Sequence, residues 1–328
     1  MTLRKLASAC SIVLAIMACG GQEQDIAKKD NSKQKDSLAL HVAVYPSEGC
    51  LPLYYAEQTG MFDSLKADIS LIHLQTMEDC DTALMRHHVE VSASDLARLF
   101  CMRKDKFRAT AIAQLHNSLG LYSAKGMRIN EVKQLKERLV ALERHSESDY
   151  YSDKLVELAK MERLAIFRTQ FNNHKLREEM LTNKLVDGAF LDEPYATLAL
   201  ERGAKQIWMR DAASQPWTVL AMPTALLQDK HRTEQARTLL RIYDIAAKEM
   251  QDSTKNQVAL AEVLKKRYAI PYADVDTLES VKKIAVTSHP LSLVPNEMAD
   301  VVKSWLVGRG WISQSLLADS LVINLTTK

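Results

Sequence analysis

From Leu40 to Met222 the chain alternates short apolar runs with stretches whose apolar residues recur at helical spacing, and it does so twice over. Nothing else in the sequence restricts the fold as much. Leu40-His41-Val42-Ala43-Val44-Tyr45 has the length of a strand and is closed by Pro46, and Leu51 to Thr59 reads as a helix stopped by Gly60. Ile69 to Leu74 predicts a second strand, Asp79 to His87 a helix, and Val89 to Ala93 a third strand ending at Ser94-Asp95. Strands and helices alternating at this length imply a parallel sheet with helices on both faces.

Ala109 to Gln114 and Leu119 to Tyr122 then follow as strands with only His116-Asn117-Ser118 near their junction, a crossing from one lobe to another. The unit repeats. Leu135 to Leu142 is the end of a helix and a strand, Ser146 to Met161 a helix, Leu164 to Phe167 a strand, Lys175 to Leu185 a helix, and Asp187 to Leu191 a strand before Asp192-Glu193-Pro194. Val219 to Met222 returns to strand character, and the remainder is helical. Core stripes appear at Ala236, Leu239, Leu240 and Tyr243, and at Met298, Val301, Val302, Trp305 and Leu306.

The N-terminus is of another kind. Met-Thr-Leu-Arg-Lys precedes an apolar run from Leu6 to Ala18 and then Cys19, the layout of a secretory signal, and the run is shorter than the ~20 residues that span a bilayer. Residues 20–36 carry one large apolar side chain, Ile26, and cannot bury enough surface to order themselves, so they read as a tether. Export leaves Cys50, Cys80 and Cys101 in an oxidising compartment. A bridge between Cys50 and Cys80, both just past strand ends, and three small buried thiols are both open readings.

Several function classes drop out. No glycine falls in a G-x-G-x-x-G or G-x-x-x-x-G-K-[ST] frame, so the short-motif routes to nucleotides are unsupported. The chain has 43 basic and 41 acidic residues, and Arg4 and Lys5 belong to the signal, so the rest is balanced and gives no electrostatic case for nucleic acid. There is no G-x-S-x-G and no H-E-x-x-H, and His87-His88 diverge on either a strand or a helix, so they read as a surface pair. No enzyme activity, cofactor or metal is expected.

Pro52-Leu53-Tyr54-Tyr55-Ala56-Glu57-Gln58-Thr59-Gly60-Met61-Phe62 followed by Ile69-Ser70-Leu71 resembles the opening of type II periplasmic substrate-binding proteins of ABC transporters, in the branch that serves nitrate, sulfonate, taurine and thiamine-pyrimidine uptake. Asp81 to Leu84 with Val89 to Ser92 is similar to that family's next helix and strand, with His87-His88 and Glu90 as departures. Leu181 to Tyr195, containing Val186-Asp187-Gly188-Ala189 and Glu193-Pro194, is the most specific match, and Leu135 to Leu142 fits with Glu137 where the family has glycine. Ile16-Met17-Ala18-Cys19 resembles the lipobox of bacterial lipoproteins, which implies a diacylated Cys19 and a lipid anchor facing the periplasm or the cell surface. Residues 1–18 would then be signal peptide, 19–37 lipidated cysteine and tether, 38–118 the first lobe, 119–212 the second, and 213–328 a helical return to the first. The resemblance implies an α/β two-lobed fold, each lobe a mainly parallel sheet flanked by helices, with a ligand cleft between lobes hinged near 115–122 and 210–218.

Ligands of open parallel sheets sit beyond the carboxyl ends of the strands, so the loops there nominate the site. The first lobe offers Ser47, Glu48, Tyr54, Thr76, Glu78, Ser94, Asp95, Asn117 and Ser118; the second offers Ser146, Ser148, Tyr150, Thr169, Gln170, Asp192 and Glu193; Trp217 lies on the return crossing. Acidic residues in these loops outnumber Arg144 and His145, which favours a neutral or cationic heterocycle or amine over a small anion. The expected partners of this monomer are that small molecule, an ABC permease and a membrane. A surface lipoprotein of the same fold that binds other proteins is the alternative.

Overall fold

A computed structural model describes residues 38–211, 214–252, 257–270 and 289–325. The signal, Cys19, the tether and the boundary at 212 and 213 lie outside the described residues. Strands β1 (Leu40–Val44), β2 (Ile69–His73), β3 (Val91–Asp95) and β4 (Ala109–Gln114) belong to one sheet; β5 (Gly120–Ser123), β6 (Leu139–Leu142), β7 (Phe167–Gln170), β8 (Gly188–Leu191) and β9 (Lys205–Met209) form a second; β10 (Thr218–Pro223) returns to the first. The spatial orders are β2-β1-β3-β10-β4 and β7-β6-β8-β5-β9.

The connections explain the directions. β1, β2 and β3 are joined by helices and run parallel, with Leu40 opposite Ile69 and Val42 opposite Val91. β5 and β10 arrive through crossings with no helix among the described residues, so each enters its sheet from the cleft end and runs antiparallel to its neighbours: Gly120 faces Leu191, and Thr218 faces Asp95. Each sheet is therefore mixed, with its one reversed strand at the crossing. Gly120 is required there, because a Cβ on it would stand 2.6 Å from the buried Tyr122 ring.

The helices are α1 (Leu51–Gln58), α2 (Met61–Ser64), α3 (Met77–Met85), α4 (Leu96–Lys104), α5 (Glu147–Leu158), α6 (His174–Thr182), α7 (Tyr195–Glu201), α8 (Lys230–Gln251), α9 (Gln257–Arg267) and α10 (Asn296–Gly308). In the first lobe the strands bury Leu40, Val42, Val44, Val91, Ile112 and Leu220 in one continuous core. α8 adds Leu239, Leu240, Tyr243 and Ala247 and packs on α1. In α10 Met298, Val302 and Leu306 face inward at four-residue spacing, while Val301 is exposed. The second sheet separates two cores, one with Val140, Leu155 and Phe190 and one with Ala141, Leu181 and Leu191, as strand alternation requires.

One rim of the interlobe cleft is bolted by α10. Asp153 of α5 accepts two 2.7 Å hydrogen bonds from Arg309 Nη1, one of 3.0 Å from Trp305 Nε1 and one of 3.0 Å from Arg168 Nη2. On another side Asn172 donates to Glu78 of α3. The Cys50 and Cys80 thiols are buried and Cys101 is half-buried; all three are free, and burial pushes Cys50 up to about 11. His87 and His88 are exposed, and no cluster of metal-ligating side chains occurs among the described residues.

Candidate functional site

The carboxyl ends of the parallel strands face one another across a small cavity of about 40 Å³. Its first-lobe wall is made by Tyr45, Ser47 and Gly49 after β1, Met77 at the start of α3, Asp95 at the end of β3, and Asn117 and Thr218 on the crossings. Its second-lobe wall is made by Glu143 after β6, Ser146, Glu147 and Ser148 at the start of α5, His174 and Arg177 in the first turns of α6, and Asp192 after β8.

Most polar groups here are already committed to each other. Asp95 caps α4 through a 2.8 Å bond from the Ala97 N–H and reaches across the cleft to accept the Glu147 N–H at 3.0 Å, so it occupies the N-terminus of α5. Ser146 caps α5 from its own side, and Asn173 caps α6 by accepting the Leu176 N–H at 2.9 Å. Arg210 Nη1 donates to Glu147 at 2.7 Å, and Nη2 donates to the Asn117 carbonyl. Glu147 also accepts the Trp217 N–H at 3.3 Å.

Charge is concentrated on the second wall. His174 is buried between Asp192, 2.7 Å from Nδ1, and Glu143, 3.6 Å from Nε2. Burial opposes its charged form, but Asp192 and Glu143 push it above the usual imidazole value. Burial likewise opposes a charged Glu143, yet His174, Arg98 and Arg177 hold it below the usual carboxylate range. Arg177 is anchored by 3.0 Å bonds to the Phe171 and Phe190 carbonyls, which leaves Nη2 aimed toward Glu143 at 3.8 Å. Burial pushes the first-wall carboxyls up: Asp95 well above its ordinary value, and Glu48, just behind Ser47, to about 8.

Five lining side chains nevertheless have a buried atom with no hydrogen-bond partner: Ser47 Oγ, Asn117 Oδ1, Glu143 Oε1, His174 Nε2 and Arg177 Nη2. His174 Nε2 and Arg177 Nη2 have Glu143 as an ion-pair partner, which leaves Ser47 Oγ, Asn117 Oδ1 and Glu143 Oε1; buried polar atoms are nearly always paired, so these mark a place where something else is meant to pair.

Of the residues nominated from sequence, Ser47, Asp95, Asn117, Ser146, Ser148 and Asp192 line the cavity. The others have different employment. Tyr54 is buried in α1, edge-on to His73 and Tyr268. Ser94 donates to Asp81 at 2.6 Å, and Ser118 donates to Glu48 through both its hydroxyl and its N–H. Glu193 accepts the N–H and the hydroxyl of Thr197 in the first turn of α7. Tyr150 and Trp217 stack at 4.5 Å against the α10 bolt, and Glu78 sits on the rim. Sequence reasoning passed over Glu143, Glu147, His174 and Arg177. The signal for the last two is Asn172-Asn173 before an apolar-periodic run, a helix start one residue ahead of Lys175.

No protein-family model and no curated protein matches the chain. Solved structures do. The periplasmic aliphatic sulphonate binding protein SsuA of Escherichia coli is 14% identical, with 86% of this chain and 95% of that one covered at a TM-score of 0.68. The alkanesulfonate-binding SsuA of Xanthomonas axonopodis pv. citri, bound to MOPS, is 11% identical, covering 88% and 98% at 0.71. The periplasmic nitrate-binding protein NrtA of Synechocystis PCC 6803 is 11% identical, covering 85% and 83% at 0.65. Strand order, the two crossings and these superpositions agree: the chain has the two-lobed fold of the type II periplasmic binding proteins.

Proposed function

We propose that this chain is a solute-binding protein, held outside the cell membrane by acyl chains on Cys19, that closes its lobes on a small polar molecule and hands it to an ABC permease. The carrying observation is one interlobe cavity lined from both lobes by buried polar side chains, of which Ser47 Oγ, Asn117 Oδ1 and Glu143 Oε1 have no partner. The names of the structural neighbours support the binding role. Capture between lobes would work through a hinge near 115–122 and 210–218, since closure around a ligand moves two rigid bodies about short connections.

For the ligand we favour an amine or a neutral polar molecule over a small anion. An anion site wants free N–H donors at helix N-termini, whereas here Asp95 occupies the start of α5 and Asn173 that of α6. The test is a thermal-shift panel on the full chain with amines, amino acids, pyrimidines, thiamine, sulfonates and nitrate. Ligand at ~100 times its dissociation constant adds roughly 2.7 kcal/mol, which raises the midpoint by several degrees. A shift with sulfonate or nitrate alone overturns the ligand class. A flat panel overturns solute binding and leaves the second reading, a lipoprotein that docks on other proteins, which the bolted rim and small cavity favour. Anchoring is tested separately: Cys19→Ala should release the protein from membranes, and retention of the variant there refutes it.

A further inference from the structure

On the outer face of the first lobe, at the amino ends of β3 and β4 and away from the interlobe cleft, α3 and α4 finish in the same kind of turn. Arg86 and Asp105 close the helices, and the residues after them, His87 and Lys106, take left-handed backbones at φ 56° and 68°. The next N–H then reaches back five residues, from His88 to the Ala83 carbonyl at 2.9 Å and from Phe107 to the Met102 carbonyl at 2.9 Å. Glycine is the usual occupant of that left-handed position, because a Cβ is strained there. In this chain both positions carry basic side chains, and both line one hollow.

His87, Lys106, Phe107 and Arg108 form one side of a cavity of about 510 Å³, and Pro223 and Ala225, where β10 ends, belong to the other. The His87 and Phe107 rings lie 5.6 Å apart. A second cavity of about 320 Å³ adjoins at Arg108 and is lined by Arg103, Leu316 and Leu317 as well. The first alone is more than ten times the volume at the cleft and falls within the roughly 300–1,000 Å³ of small-molecule sites. No acidic residue lines either cavity. Asp319 stands nearby, one carboxylate shared between the Arg103 and Arg108 guanidinium groups. Lys106 pairs with no carboxylate among the described residues. The hollow thus has an apolar floor and a rim with an excess of positive charge.

We propose that this hollow binds a single-chain organic acid, its carboxylate on Lys106 and Arg108 and its hydrocarbon chain against Phe107, Pro223 and Ala225. The charge of the rim selects the head group, since a cationic amphiphile would meet basic side chains with no acid in the lining to offset them. The concave shape selects one molecule from solution over a flat lipid surface. The site is separate from the interlobe cavity and stands whether or not the cleft takes a solute.

The test is calorimetric titration of the full chain with octanoate and decanoate below their micelle concentrations, and with decyltrimethylammonium as the cation of matched chain. Decanoate should bind about 15-fold more tightly than octanoate, since each buried CH₂ is worth roughly fourfold. The cation, without a charge-assisted bond to Lys106, should bind about tenfold more weakly than decanoate. Lys106→Gly keeps the turn, because glycine takes its backbone without strain, and should weaken decanoate about tenfold. Ala225→Trp fills the hollow from an exposed position on the opposite side and should abolish binding, so the proposal does not hang on one variant. Equal affinity for the two head groups, decanoate binding that neither variant changes, or silence to decanoate each overturns it. Binding to anionic phospholipid vesicles that Lys106→Gly abolishes, with no binding of free decanoate, overturns the free acid in favour of a membrane surface.

Discussion

The two walls of the cleft bury carboxyl groups by opposite means. On the first-lobe wall Asp95 and Glu48 have no cationic partner among the described residues; they are hydrogen-bonded to backbone N–H groups and a serine, and burial favours their protonated forms. On the second-lobe wall Glu143, Glu147 and Asp192 stand against His174, Arg177 and Arg210. Glu48 gives up its proton as the pH climbs through 8, whereas the guanidinium groups of Arg177 and Arg210 keep their charge there and hold their carboxylate partners. The second wall thus holds a fixed charge pattern and sets what the site accepts, and the first wall is the adjustable side that closes on it.

The comparison breaks most sharply at Arg210. Its guanidinium and the Glu147 carboxylate are both about 5% exposed, so Arg210→Met strands a buried carboxylate and leaves the Asn117 carbonyl without its donor. Removing one partner of a buried pair costs about 3–5 kcal/mol. Chemical denaturation should show a loss in that range, and a loss under about 1 kcal/mol would mean that Glu147 takes up a proton, as the first-wall carboxyls do.

Raising the pH attacks the other wall. Glu48 has a folded value of about 8 against an ordinary 4.5, so the native state holds a proton that the unfolded chain has lost. Its contribution is complete below about 4.5 and fades as the pH climbs through 8. His174, raised by Asp192 and Glu143, acts in the same direction above 6.5. His116 and His145, lowered by burial to about 4, act oppositely but only below 6.5. Stability should therefore fall by roughly 2 kcal/mol from Glu48 alone between pH 6.5 and 8. Glu48→Gln should flatten most of that fall, and an unchanged slope would show that Glu48 is ionised throughout.

The same contrast separates what was legible in the sequence from what was not. The first-wall loops follow strands whose apolar runs end cleanly, as β1 does at Tyr45-Pro46 and β3 at Ser94-Asp95, so Ser47 and Asp95 were within reach of a count along the chain. β7 is an edge strand, Phe167-Arg168-Thr169-Gln170, with polar residues where a central strand would be apolar. The apolar Leu164 to Phe167 draws the strand three residues early, so the loop after it is read at Thr169 and Gln170, which lie in the strand, and His174 and Arg177 at the mouth of the next helix are passed over. Aromatic residues mislead differently: Tyr54, Tyr150 and Trp217 lie next to candidate loops in sequence, but ring contacts turn them into packing. The fold survives such slips because it rests on the order of elements, while a site rests on single residues.

The smallest effect divides two serines of the first wall. Ser118 donates its hydroxyl at 2.6 Å and its N–H at 2.7 Å to Glu48 Oε2, so Ser118→Ala removes one hydrogen bond to a buried carboxyl and should cost about 1 kcal/mol. It should also move the pH-dependent fall to higher pH, because a bond that favours the ionised carboxyl has gone. Ser47 is more deeply buried than Ser118, at 2% exposed, yet its hydroxyl has no partner. Ser47→Ala discards a polar atom whose desolvation nothing offsets, and it should leave stability within about 0.5 kcal/mol of the parent or raise it. Thermal midpoints of the two variants, measured side by side without added solute, check the ordering. If Ser47→Ala is the more damaging, the hydroxyl is paired in the free protein and the cavity is less ready for a ligand than its bare atoms indicate. If the order holds and Ser47→Ala lowers affinity for the bound solute, the hydroxyl is kept for the ligand at no benefit to the fold, as a site residue on the adjustable wall should be.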